Sequence, residues 1–273
     1  MNEKKKLKNA AIATGAVVGA TYLIMRRIAK KQYPHSVYAN QPEEQNPVEG
    51  KKVVFVENEA EPENADGKKG HLEEVGVSEH IPTFYEKYVK RGMDIAISFG
   101  GMVVLSPIYA ITALAIKCDD PGPVFFKQKR IAQNKGYFEM LKFRSMYVNT
   151  PKDVPTHMLM NGGITKTGAF IRKMSIDELP QLWNCFVGNM SIIGPRPALW
   201  NQDYLTAERD KYGANDVKPG LTGLAQISGR DELEIEKKAE LDGMYSDAIK
   251  SSSLSGFLMD AKVFFGSVSS VLR

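Results

Sequence analysis

Asp177 and Glu178 stand side by side in the run from Arg172 to Pro197, R-K-M-S-I-D-E-L-P-Q-L-W-N-C-F-V-G-N-M-S-I-I-G-P-R-P. Arg172 and Lys173 precede the pair, and Arg196, set between Pro195 and Pro197, follows it. Adjacent carboxylates flanked by cations suit phosphoryl transfer. A transferring phosphoryl group spreads negative charge over several oxygens, which cations neutralise while a carboxylate attacks or holds a metal ion. The same residues also have a plainer reading: Ser175 followed three residues later by Glu178 is a capping-box pattern. Pro180 argues against that box, because in a helix capped by Ser175 its ring meets the carbonyl of Ile176. A helix beginning at Asp177 or Leu179 keeps Pro180 in the first turn, where it is tolerated. That start sets both carboxylates near a positive dipole end, which also attracts phosphate. Capping, surface charge and catalysis all remain open on the local pattern.

The elements that must position this run are legible around it. Lys87, Lys90 and Arg91 precede Ile95 to Ile116, 22 mainly apolar residues that as a straight helix would extend roughly 33 Å. Ser106-Pro107 interrupts them: the proline removes a donor and clashes with the carbonyl of Val103, and Ser106 can supply a local hydrogen bond. Lys117, Lys127, Lys129 and Arg130 follow, so both ends read as cytoplasmic. A re-entrant helix–break–helix over residues 92–117 fits that symmetry better than a kinked spanning helix. Asp119-Asp120-Pro121-Gly122-Pro123 reads as a solvated turn rather than a metal site. Val124 to Ile131 and Tyr137 to Arg144 read as a hairpin about Asn134-Lys135-Gly136, with Arg144 a strand-end arginine. Pro151 to Thr167 is loop-like, and Ala169 to Met174 a short helix. Lys218-Pro219-Gly220-Leu221-Thr222-Gly223 and Ser228-Gly229-Arg230 place flexible backbone beside cations, a combination able to cradle an anion. Glu232 to Tyr245 is a charged helix. Leu254, Phe257, Leu258, Ala261, Phe264, Phe265, Val268 and Val271 recur at helical spacing as one apolar face, suited to core packing or to a membrane interface.

Charge is unevenly spread. The chain carries a net +4, yet Gln41 to His80 holds 11 acidic and 4 basic residues. The remainder is therefore distinctly basic, suited to a membrane surface or a polyanionic substrate. No nucleic-acid motif accompanies the basic residues, which alternate with long apolar runs, so nucleic acid is excluded as a partner. Cys118 and Cys185 lie far apart with no metal-ligand spacing, and read as reduced thiols. His157 reads as a loop residue rather than a base. Residues 1–31 read as an uncleaved hydrophobic anchor with basic flanks and undecided orientation. Residues 32–84 read as an acidic, mostly disordered linker, since their composition buries too little apolar area to offset ordering entropy. Residues 85–273 read as one domain that holds the carboxylate pair.

S-I-D-E-L-P-Q-L-W-N and M-S-I-I-G-P-R-P, with K-F-R-S-M at Lys142 to Met146 and K-P-G-L-T-G-L-A-Q-I-S-G-R at Lys218 to Arg230, resemble the bacterial sugar transferase family. These are monotopic polyprenyl-phosphate phosphoglycosyltransferases that initiate exopolysaccharide, capsule, O-antigen or glycoprotein glycan assembly. The resemblance covers Tyr85 to the C-terminus. It implies a small membrane-associated α+β domain with a re-entrant helix broken at Ser106 and Pro107, a short β-hairpin and amphipathic interfacial helices. It further implies transfer of a sugar 1-phosphate from a UDP-sugar to undecaprenyl phosphate, with release of UMP, on the cytoplasmic face of the cell membrane. Asp177 would attack and carry the phosphosugar, and Glu178 would join it in holding Mg2+. Arg144, Arg172, Arg196 and Arg230 would hold phosphates. Asp242 and Tyr245 match a family D-x-x-Y pattern, although a surface-helix role is an equal alternative. Leu224 stands where a tryptophan is common and Ala132 where a glycine is, which touches sugar-pocket shape and hairpin detail. A direct glycosyltransferase releasing UDP and a non-catalytic membrane adaptor are the rival readings, and self-association is left open.

Overall fold

The computed structural model describes residues 45–150, 163–229 and 232–271. The expected anchor at 1–31, the loop residues 151–162 with His157, and Arg230 lie outside them. The fold is α+β: among the described residues helices dominate, and the strands form three separate two-stranded sheets.

A π-helical turn, Tyr85–Lys90, runs into α1 (Arg91–Val104), and α2 (Ser106–Asp119) follows. The two turn by 60° at Leu105. Ser106 Oγ donates to the carbonyl of Val103 at 2.8 Å and Pro107 sits in the first turn of α2. The predicted local repair of the proline break is therefore made, on a helix pair a few residues longer at each end than 92–117. Among the described residues no single helix is long and apolar enough to cross a membrane, but this bent pair is when taken together.

β3 (Phe125–Ile131) and β4 (Tyr137–Phe143) pair antiparallel. Asn134 and Lys135, both at positive φ, turn the chain between them. α3 (Lys166–Lys173) and α4 (Gln181–Val187) flank the Asp177 turn, and β5 (Ser191–Ile193) pairs parallel with β6 (Gly220–Thr222). Between these strands lies α5 (Asp203–Lys211), and after them α6 (Leu224–Ser228), α7 (Ile235–Ser251) and α8 (Ser253–Val271). The main core gathers Tyr85, Ile193, Val217, Leu224, Tyr245 and Val263.

Three expectations need correction. The span 32–84 is not a disordered linker over its described part: β1 (Lys51–Glu57) and β2 (Gly70–Val77) form an antiparallel hairpin. This hairpin borrows a core instead of building one. Val53 is buried against the body, its N–H donates to Asp210 Oδ2 at 2.8 Å, Phe55 meets the Tyr204 ring edge-on, and Asp66 accepts from Leu205 N and Gln202 Nε2. Docking of this kind cannot be read from composition. Asp242 and Tyr245 are not surface residues, each being 1% exposed. The glycines of Lys218 to Gly223 do not form a free anion cradle: a Cβ on Gly220 would lie 2.1 Å from Gly194 N, and one on Gly223 2.2 Å from Gly194 O. Glycine is needed there because two backbones touch at the β5–β6 crossing.

The apolar face of α8 does not pack into the core. The helix buries Gly256, Asp260 and Val263 and exposes Leu254, Phe257, Leu258, Phe264, Phe265 and Val268. α1 has the same inversion, burying Asp94 and Ser98 while exposing Ile95, Ile97, Phe99 and Val104.

Candidate active site

The carboxylate pair sits on a single tight turn between two short helices. Thr165 caps α3 by accepting from Gly168 N, and Asp119 Oδ2 accepts from Thr167 N at 2.6 Å, which gives that aspartate a structural use. α3 ends with Arg172 in its last turn. Ser175 then adopts φ 54° and makes no side-chain cap, so the capping box is not formed. A 3₁₀ turn, Ile176–Glu178, carries both carboxylates, and α4 begins only at Gln181, immediately after Pro180. That start lies beyond Asp177 and Leu179, and the missing proline N–H falls where no helical bond is lost. Tyr109 Oη of α2 donates to Leu179 O at 2.5 Å, and Asn184 of α4 accepts from Leu141 N and donates to Glu139 O. The turn is thus tied both to the bent helix pair and to the edge of β4.

Glu178 is the hub. Lys142 Nζ lies 3.0 Å and Arg196 Nη2 2.7 Å from its Oε1. Burial alone would raise the Glu178 carboxyl, but Arg196 and Lys142 outweigh it and hold the group down at about 2. Asp177 moves the other way: burial raises it, and Lys142 and Arg172 offset that only in part. Arg130, half-buried, donates to Pro197 O at 2.9 Å and Gln128 Oε1 at 2.7 Å. Burial and then the neighbouring Arg196 lower its guanidinium to about 9, with Glu178 opposing. Two adjacent carboxylates are therefore tuned apart, one an obligate anion and one made more basic, beside a surplus of cations. Environments that push paired groups apart assign them different roles.

Among the sequence candidates, Arg196 is brought onto Glu178 and the Arg172 charge acts on Asp177. Arg144 is held at Asp120, with Nη1 3.4 Å from Oδ2. Lys142 and Arg130 were missed as site residues. Register places both on one face of the β3–β4 hairpin, since Phe126 pairs with Lys142 and Arg130 with Phe138. That shared face was readable from alternation; the contact of Lys142 with a glutamate 36 residues away was not. Cys118 and Cys185 are free thiols.

The model of the bacterial sugar transferase family matches residues 85–273. The chain belongs to that family. This sugar transferase is 40% identical over 167 residues to the UDP-glucose:undecaprenyl-phosphate glucose-1-phosphate transferase of Escherichia coli (strain K12), covering 58% of this chain and 36% of that one. It is 34% identical over 212 residues to the UDP-N-acetylgalactosamine-undecaprenyl-phosphate N-acetylgalactosaminephosphotransferase of Aeromonas hydrophila, covering 75% and 48%. To the exopolysaccharide production protein PSS of Rhizobium leguminosarum bv. phaseoli it is 35% identical over 192 residues, covering 67% and 95%. The transferase spans less than half the length of the first two relatives and nearly all of the third. The β1–β2 hairpin precedes the residues that the family model matches.

Among the described residues no third acidic, histidine or cysteine side chain joins Asp177 and Glu178 to complete a metal site. A pair of carboxylates beside a cluster of cations would fit Mg2+, which takes one or two carboxylates and fills its shell with phosphate oxygens and water.

Proposed function

We propose that the protein transfers a sugar 1-phosphate from a UDP-sugar to undecaprenyl phosphate, releasing UMP, as the first membrane step of extracellular polysaccharide or glycoconjugate synthesis. The observation that carries this reading is the placement of Asp177 and Glu178 on one turn, with Lys142 Nζ 3.0 Å and Arg196 Nη2 2.7 Å from Glu178 Oε1. An Asp177 oxygen attacks the phosphorus that bears the sugar, the bond to the bridging oxygen breaks, and UMP leaves with that oxygen. A phosphosugar-aspartyl ester results. An oxygen of undecaprenyl phosphate then attacks the same phosphorus, the acyl phosphate bond breaks, and the Asp177 carboxylate is restored. Raised basicity favours attack by Asp177, and covalent catalysis divides one hard exchange into two easier ones. Arg196, Arg172 and Lys142 hold donor phosphate oxygens as charge builds on them. Mg2+ held by Asp177 and Glu178 would neutralise charge on the diphosphate.

The lipid acceptor requires a site at a membrane surface. Apolar side chains outside and polar ones inside, on α1 and α8 alike, support a bilayer around the bent pair as a re-entrant element, with α8 resting in the interface. The basic flanks at both ends of the pair support a site on the cytoplasmic face of the cell membrane.

Incubation with UDP-glucose, UDP-N-acetylgalactosamine and other UDP-sugars tests the reading. One donor should give UMP with ping-pong kinetics, and intact-mass analysis without acceptor should find the phosphosugar on Asp177. Release of UDP, or full turnover by Asp177→Asn, would sink it.

A further inference from the structure

The segment Pro195-Arg196-Pro197 lacks an N–H at two of its three residues, so it is held mainly through its carbonyls. Four consecutive carbonyls accept bonds from three different elements, β6, α5 and β3. Gly220 N of β6 donates to Pro195 O at 2.8 Å, and Ile131 N of β3 donates to Ala198 O at 3.0 Å. Between them, Arg209 Nη2 donates to Arg196 O at 2.9 Å and Arg130 Nη1 to Pro197 O at 2.9 Å. The carbonyl of Arg196 and that of Pro197 after it are thus both gripped by guanidinium groups. Arg130 also lies close enough to Glu178 to feel its charge, whereas among the described residues the side-chain bonds of Arg209 go to Arg196 O and to Asp242 Oδ2, the latter at 2.9 Å from Nε and 2.6 Å from Nη2. Arg209 is 6% and Asp242 1% exposed.

A buried ion pair is a weak source of stability, because desolvation offsets much of the attraction. Its planar fork is nonetheless strongly directional, fixing one end on the carboxylate while aiming an N–H at a chosen carbonyl. We propose that Arg209, fixed by Asp242, is a positioning residue: it holds the backbone at Arg196 so that the Arg196 guanidinium stays on Glu178 and faces the donor phosphates. The inference rests on the functional reading of Glu178 and Arg196 given above. It runs from Asp242 on α7 through Arg209 on α5 to the proline-bounded segment, and it gives the D-x-x-Y aspartate a task in the reaction without contact to reacting atoms.

Arg209→Lys separates this role from charge pairing, since lysine can still pair with Asp242 but has no fork to aim at the carbonyl. In the full-length enzyme, assayed by UMP release with the UDP-sugar found active and undecaprenyl phosphate, Arg209→Lys should lower kcat about 30-fold and leave KM for the lipid unchanged. Arg196→Ala should lower it about 100-fold, and Arg209→Lys added to Arg196→Ala should cost nothing more, because the group it positions is gone. Asp242→Asn, taken through the same cycle, should behave likewise. Losses that multiply in the double variants, full activity of Arg209→Lys, or activity that falls only in step with melting temperature in both variants would make the pair structural and overturn the inference. Failure of both variants to fold would overturn it too. Undiminished turnover by Arg196→Ala would instead overturn the reading of the site itself, and the inference with it.

Discussion

Two buried carboxylate clusters in this molecule are built on opposite plans. Around Glu178, the cations Lys142, Arg196 and Arg130 gather on one hub with Arg172 nearby, and Arg196 keeps 43% of its side chain in solvent. Around Asp260 the plan is sealed. Lys90 Nζ and Tyr85 Oη donate to its Oδ2, each at 2.7 Å, and Tyr245 Oη donates to Oδ1 at 2.8 Å. Asp94 close by accepts from Ser191 Oγ and Ile192 N, both at 2.9 Å. Lys90, Asp94 and Asp260 are all less than 8% exposed. Surplus positive charge open to water marks a place prepared for an outside anion; donors matched to acceptors and closed off mark a joint between α1, α7 and α8. A buried titratable cluster is therefore a weaker functional candidate when donors inside the protein already meet its carboxylates.

Glu178→Gln is the sharpest way to break this contrast. With its hub uncharged, the cation group loses the anion that orients it, and turnover should fall about 1000-fold while the far-ultraviolet spectrum and melting temperature stay near those of the parent. Asp260→Asn should do the reverse. It leaves Lys90 buried without a full counter-charge, at about 3 kcal/mol of stability, and the folded fraction should keep its specific activity. Melting curves and UMP release measured on both variants decide the matter, since exchanged outcomes would erase the distinction.

What the sequence could reveal follows from the range of the interactions. The proline break, the Ser106 bond to Val103 and the β3–β4 hairpin depend on neighbours a few residues apart, and each was legible; the helix expected to start at Asp177 or Leu179 instead starts at Gln181, after a 3₁₀ turn. The cation set around Glu178 was legible only in part. Arg172 and Arg196 lie in the same run as the carboxylates, but Lys142 reaches Glu178 through the packing of α4 on β4 by Asn184, which no local rule announces. The burial of Asp242 depends on Arg209, 33 residues earlier. The β1–β2 hairpin was missed because its order is lent by α5: a segment poor in apolar residues folds when polar groups such as Asp66 and Asp210 find backbone donors on another element.

Asp203 extends the contrast to a third case, a carboxylate with too little positive charge around it. It opens α5 where the β1–β2 hairpin docks. Burial first, then Asp66 and Glu61, push its carboxyl up to about 6, with His71 opposing. The unfolded chain releases this proton near 3.8, so the folded state keeps a proton that the unfolded state has lost. The contribution of protonated Asp203 is fully present below that lower value and is lost as pH rises through about 6. At neutral pH the charged side chain therefore works against docking. Asp203→Asn should match the parent at pH below 3.8. Above pH 6 it should be more stable by about 1 kcal/mol, a figure reduced for the partial exposure of the group. Amide exchange at Val53, Val54 and Phe55 should slow in the variant at neutral pH and not in acid. An equal gain at both pH values would mean that side-chain shape rather than charge limits the docking, and the ordering of the three sites by charge balance would lose its weakest member.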